Sequence, residues 1–245
     1  MKTMNFSRTV MILLTFFGMA AFFTMPLYAS GHSEKVVKET RTVGAFTGIK
    51  VGGAFEVHIK QTGTPGVVVE ADEEVISYIT TKVSGNVLTI GMKSTPVKPW
   101  DNIHTLNVYI TVADLNFLSL SGAVEISTES PITGNMLEMD VSGAVEADLN
   151  FQYKKITMDV SGASELKLDG QAEVLTIEAS GASELNAYGM AVNDLSIFAS
   201  GATDAKVNAS GSLKISASGA CDVRYRGDAS VNAHTSGASS VEHDD

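Results

Sequence analysis

The stretch Met158-Asp159-Val160-Ser161-Gly162-Ala163-Ser164-Glu165-Leu166 decides the fold, because its central tripeptide returns along the chain. Ser-Gly-Ala stands at Ser121, Ser142, Ser161, Ser180, Ser200, Ser218 and Ser236, with steps of 21, 19, 19, 20, 18 and 18 residues. A nearly fixed period of this length is the signature of stacked repeats, each one supersecondary unit that buries its apolar face against its neighbours.

Around each tripeptide, apolar and polar residues alternate. Five residues before the serine lies the column Leu137, Ile156, Leu175, Leu195, Leu213 and Val231; two residues on lies Met139, Met158, Ile177, Ile197, Ile215 and Ala233. A third column holds Val141, Val160, Ala179, Ala199, Ala217 and Thr235. Alternation resumes after the tripeptide with Val145, Ser164, Ser183, Thr203 and Cys221, then Ala147, Leu166, Leu185, Ala205 and Val223. Period-two spacing puts each set on one face of a strand. Each repeat therefore reads as two short strands meeting at a Ser-Gly-Ala corner, followed by a loop such as Asp169-Gly170. No segment beyond the N-terminal apolar run has helical periodicity. The expectation is an all-β, single-stranded parallel β-helix, a solenoid with rungs of 18–21 residues that pair at roughly 4.8 Å.

Outward from this core the pattern loosens. Ile49–Ile59 matches the later repeats with Gly52 in place of the serine. Val67–Glu70, Val75–Ile79, Val87–Ile90 and Leu106–Val112 are further β-rich runs, separated by turn signals at Gly63–Gly66, Ser84-Gly85-Asn86 and Pro96–Asn102. Residues 46–115 are read as less regular rungs and 116–241 as regular ones, together one domain over 46–245; a separate small β domain is the alternative for the irregular part.

Lys2 and Arg8, the apolar run Val10–Thr24 and the small-residue site Leu27-Tyr28-Ala29 read as an export signal over residues 1–29, with an extended leader over 30–45. The apolar run is shorter than the roughly 20 residues of a spanning helix, so no stable membrane insertion is expected after cleavage. Removing that segment takes away two bases and no acid, which leaves 15 bases against 28 acids, a net charge of −13. Nucleic-acid binding is excluded on that balance, since it is driven by clustered Lys and Arg. Cys221 is the single cysteine, so there is no internal disulfide.

A glycine at the same place in every repeat implies positive φ or no room for a Cβ. The stacked serine hydroxyls are expected to bond along the column or to the corner backbone. Seven equivalent serines without a repeating His partner do not read as nucleophiles. No catalytic residue and no cofactor is assigned.

The chain resembles the head GIN domain proteins, also described as auto-transporter adhesins, exported β-helical proteins of Bacteroidetes-type bacteria. The resemblance rests on the signal segment, on Phe46-Thr-Gly-Ile-Lys-Val-Gly-Gly-Ala-Phe-Glu-Val57, Val69-Glu-Ala-Asp72 and Gly85-Asn-Val-Leu-Thr-Ile90, and on the repeated Ser-Gly-Ala-x-Glu or Asp; it spans nearly all of residues 40–240. It implies a right-handed β-helix and a surface or adhesive role, and it carries no binding residues to transfer.

Two residues past each corner alanine from Ala54 to Ala220 lies an acid: Glu56, Glu125, Glu146, Glu165, Glu184, Asp204 and Asp222. Neighbouring carboxylates at strand spacing repel by about 1 kcal/mol in a water-like dielectric. Asp148, Lys167, Asn186, Lys206 and Arg224 form the next outward column and offer bases to part of the stack, while Asp140, Asp159 and Glu178 add acids across the corner. Glu146, Glu165 and Glu184 are the cation candidates, with Ca²⁺ favoured by its loose oxygen coordination; the competing reading is a solvated face that keeps the stack soluble. Trp100 is the candidate ligand contact for sugar stacking, and a buried Trp that caps the helix is the competing reading. His32, His58, His104, His234 and His243 share no metal-like spacing.

The leading expectation is a non-enzymatic exported protein of the periplasm, outer membrane surface or extracellular space, presenting one flank to glycan, protein or sister subunits. A polysaccharide lyase or hydrolase on a β-helix, an acyltransferase on a left-handed hexapeptide helix and a purely structural envelope scaffold are the alternatives. The first would need a walled cleft with an acid–base pair, and the second a six-residue apolar period that is lacking here.

Overall fold

The computed structural model describes residues 35–93 and 105–244. Among them the chain is all-β, with a single 3₁₀ turn at Ile76–Tyr78 and no α-helix. The strands are β1 (Val36–Arg41), β2 (Gly48–Gln61), β3 (Gly66–Asp72), β4 (Ile79–Ser84), β5 (Val87–Met92), β6 (Leu106–Val112), β7 (Phe117–Thr128), β8 (Ile132–Ala179), β9 (Ala182–Gly219), β10 (Asp222–Arg226), β11 (Ser230–Gly237) and β12 (Ser240–His243). They join one open sheet whose order runs from β1 through β3, β6, β2, β7, β8, β9 and β10 to β12; β11 pairs with β9, and β5 pairs with both β2 and β4.

The repeats carried by β2 and by β7 to β12 lie one on another in parallel. Gly53 faces Gly122 and Ala54 faces Ala123, so the Gly52-Gly53-Ala54 corner is in register with the first Ser-Gly-Ala. Gly122 faces Gly143, Ala163 faces Ala182, and Gly219 faces Gly237. The long strands β8 and β9 bend at each corner. Val141 and Val145 are buried, yet Ser142, Gly143 and Ala144 between them are all exposed, so three outward residues replace one and both flanks point inward.

The glycine makes that bend. Gly143, Gly162 and Gly181 have φ of 104°, 93° and 95°, a region L side chains adopt only at a steric cost. A Cβ on Gly162 would also meet the backbone carbonyl oxygen of Gly143, one repeat earlier.

The three columns before the corner form the core from Leu137, Met139 and Val141 through Leu213, Ile215 and Ala217. Each buried Leu, Ile or Met contributes about 1.5–3 kcal/mol relative to exposure. Val231, Ala233 and Thr235 continue these columns in sequence but are exposed on β11, which pairs among the described residues only with β9.

The sheet is mixed, which corrects the expectation of a purely parallel stack. β3 runs antiparallel to β6 and to β1, and β4 antiparallel to β5. Much of residues 46–115 thus consists of strands that double back. Ser84 faces Val87 across the two-residue turn Gly85-Asn86, with Gly85 at φ 62°, the backbone a tight hairpin requires.

Candidate functional site

Each corner serine from Ser121 to Ser200 sends its hydroxyl to the previous repeat. Ser121 Oγ donates to the Val51 carbonyl at 3.2 Å, Ser142 to Leu120 at 3.3 Å, Ser161 to Val141 at 3.2 Å, Ser180 to Val160 at 3.4 Å and Ser200 to Ala179 at 3.4 Å. These hydroxyls are backbone ties. Behind them Ser164, Ser183, Thr203 and Cys221 are buried; Thr203 Oγ1 and Cys221 Sγ each donate at 3.3 Å to the carbonyl of their own corner serine, Ser200 and Ser218.

The acidic column faces outward, with Glu125, Glu146, Glu165, Glu184 and Asp222 exposed and Glu56 and Asp204 half-buried. Glu125 faces Glu146, Glu165 faces Glu184, and Asp204 faces Asp222. Bases offset only part of the repulsion. Lys206 reaches Glu184 at 3.6 Å, while Lys167 binds Asp148 at 2.8 Å and Asp169 at 3.4 Å, which raises its pKa. Glu125, Glu146 and Glu165 have no cation within ion-pair distance among the described residues. Such exposed pairs contribute little to stability. Among the described residues no group of three or more His, Cys, Asp or Glu converges as a metal cage.

The first repeat carries a polar cluster that sequence reasoning missed. His58 Nε2 lies 3.1 Å from Glu56 Oε1, its Nδ1 lies 3.0 Å from Ser127 Oγ, and its ring stacks on Tyr109 at 5.0 Å. Tyr109 donates its hydroxyl to Glu70 at 2.8 Å, and Lys38 sits 3.2 Å from the same carboxylate. The Tyr109 hydrogen bond, followed by Lys38, holds Glu70 below the usual carboxylate range. This chain of contacts ties β1, β3, β6, β2 and β7 together.

On the side of the repeats away from the corners lies a groove of about 750 Å³. Its floor is Gly134, Tyr153, Ala172 and Val192; one wall is Thr133, Gln152 and Gln171, the other Asn135, Lys154, Glu173 and Asn193. The floor position points inward, and small residues flank the one large ring. A Cβ on Gly134 would strike the Tyr153 ring. Tyr153 is buried, donates its hydroxyl to the Leu115 carbonyl at 2.6 Å, and is held above the ordinary tyrosine pKa by burial, with the Asp114 charge adding to it. Gln61 closes one end, its amide bridging the Ala113 and Thr133 backbones. A smaller groove of about 360 Å³ near the corners is lined by Asp159, Glu178, Phe198 and corner serines, with Lys214 over the Phe198 ring at 5.4 Å.

Trp100, His32, His104 and residues 1–29 lie outside the described residues. His234 is exposed on β11, and His243 packs at 4.9 Å against Tyr225. Among the described residues no helix is long and apolar enough to cross a membrane.

An open, mixed all-β sheet of in-register repeats, cornered on left-handed glycines and presenting outward polar columns, defines the class. The chain belongs to the family described as "Putative auto-transporter adhesin, head GIN domain", whose model matches residues 45–229. The fold is similar to the crystal structure of a "putative adhesin" from Bacteroides fragilis at 21% identity and TM-score 0.81, covering 86% of this chain and 98% of that one. A "putative adhesin" from Parabacteroides distasonis is 24% identical with TM-score 0.66, over 86% and 98% of the two chains. A "putative lipid binding protein" from the same species is 17% identical with TM-score 0.67, over 86% and 97%. At such identities the likeness concerns the fold alone. No curated protein matches the chain.

Proposed function

We propose that this protein is an exported, non-enzymatic protein of the cell envelope or surface, an adhesin that holds glycan, protein or a sister copy against one flank of its stacked repeats. The observation that carries this reading is the in-register repetition of outward side chains, as in Glu125 facing Glu146 and Glu165 facing Glu184. Repetition at fixed intervals suits extended partners. Membership of a family described as adhesins agrees with it, and so does the engagement of the corner serines with backbone carbonyls rather than with a general base. In this proposal residues 1–29 are the export signal, residues 30–45 the leader, and the parallel repeats wind as one right-handed β-helix.

The test combines cell fractionation, proteolysis of intact cells, and a glycan and protein array probed with the purified chain. The expected result is a processed chain in the envelope or medium that binds array features without changing them. An unprocessed cytoplasmic chain, or the release of new sugar ends from a bound polysaccharide, would overturn the proposal.

A further inference from the structure

We infer that the groove floored by Tyr153 and Ala172 is a binding site for an extended, uncharged polysaccharide lying across successive repeats. This deepens the adhesive reading above and rests on it.

The chemistry of the walls makes the choice. Gln152, Gln171, Asn135 and Asn193 line the groove, and each carboxamide carries two donors and a two-lone-pair acceptor. That is the complement of a hydroxyl, which also donates and accepts. A charged wall would favour one sign of ligand, but the charges here are a lone Lys154 against Glu173 and Asp114. On a chain with 17 bases and 28 acids, this near-neutral strip is unlike the acidic column, and the overall field repels polyanions. The floor is too polar and too interrupted for an apolar peptide: the ring of Tyr153 alternates with Gly134 and Ala172. Met136 and Val174, the exposed apolar residues beside the groove, are not among the lining residues.

Geometry points the same way. Gln152 and Gln171, and likewise Lys154 and Glu173, occupy equivalent places one repeat apart, so the wall offers its amides at strand spacing, roughly 4.8 Å. A pyranose in an extended chain advances by a comparable length, so two neighbouring sugars meet Gln152 and Gln171 in the same pose. The volume, about 750 Å³, lies within the usual range for ligand sites. Because long exposed amides lose rotamer freedom on binding, affinity per sugar is low and grows with chain length.

The experiment is affinity electrophoresis of the purified chain in gels carrying β-glucan, mannan, galactan or xylan, with polygalacturonate as the anionic probe. At least one neutral polymer is expected to retard the protein, and longer oligosaccharides of that polymer to compete better than short ones. The double variant Gln152→Ala/Gln171→Ala should raise the apparent dissociation constant at least tenfold with an unchanged melting temperature, since both side chains are exposed. Lys50→Ala, exposed on β2 and outside the lining residues, should bind as the parent does. Asn193→Ala, at the other wall, provides a second reading. The inference is overturned if no neutral polymer retards the chain, if polygalacturonate is preferred, or if the groove variants bind unchanged. Array binding to a protein feature that survives those results would leave the adhesive function standing and remove only this groove from it.

Discussion

The hydroxyl of Ser161 donates to the carbonyl of Val141, 3.2 Å away and one repeat earlier in the chain. Next to it, Gly162 at φ 93° leaves the space in which a Cβ would meet the Gly143 carbonyl oxygen. The corner is therefore held by a tie on one residue and by the absence of a side chain on the next.

Gly162→Val should cost about 3 kcal/mol, since it forces a β-branched residue into a left-handed conformation and against backbone. Urea unfolding measures this directly. A midpoint equal to that of the parent would mean that the corner relaxes freely and the glycine is not conformationally required.

Ser161→Ala removes a single partly solvated hydrogen bond and should destabilise by about 1 kcal/mol. Cys221→Ala, which trims a buried thiol, should do the same order of damage. Both should leave partner binding untouched, because neither side chain is free to serve a ligand. Loss of binding by either variant at full folding would reassign it to a functional site.

Tyr109→Phe tests the cluster at the start of the stack through pH. The Tyr109 hydroxyl, aided by Lys38, lowers the pKa of Glu70 in the folded state. The folded chain thus binds this proton less readily than the unfolded chain, and the stabilisation is present above the unfolded value and lost as pH falls through the folded one. The variant should melt below the parent at neutral pH by an amount equivalent to about 1 kcal/mol, and the gap should narrow in acid. A gap constant from about pH 7 to about pH 3 would disprove the linkage.

For the acidic column, millimolar Ca²⁺ is expected to raise the melting temperature no more than Mg²⁺ at matched ionic strength, because Glu146 and Glu165 stand on an open face where charge is screened. A true site would stabilise by about 2.7 kcal/mol at a hundredfold excess over Kd. A saturable Ca²⁺-specific shift that vanishes in Glu165→Gln would establish such a site.

The repeats were legible because stacking in register gives every repeat the same surroundings. Leu137, Ile156 and Leu175 answer one environment, Gly143, Gly162 and Gly181 another, so position alone told which residues turn inward. The strands before β7 escaped for a related reason. Alternation in Val67–Glu70 or Leu106–Val112 shows which residues share a face, but not whether the neighbouring strand runs with or against them. Gly85-Asn86 was the available clue, since a two-residue turn between apolar runs predicts a hairpin. The groove was harder to see, as its walls gather ordinary polar residues from several repeats and no short window holds more than a few of them. The recurrence of Gln152 at Gln171 was its one trace.

The glycine corners also govern how this chain can change length. A corner glycine fits only beneath another, with a carbonyl filling the place of its Cβ, so loss of one residue between Leu137 and Ser142 would set Gly143 out of phase with both neighbours and turn the apolar columns to water. The loops past the acidic column are forgiving: the pairing of β8 with β9 shifts by one residue between Lys167, which faces Asn186, and Gly170, which faces Met190, and runs on in the new register to Ala179. Descendants of such a gene are therefore expected to gain or lose whole repeats, or to vary their loops, while the segment from the first apolar column to the corner keeps its length.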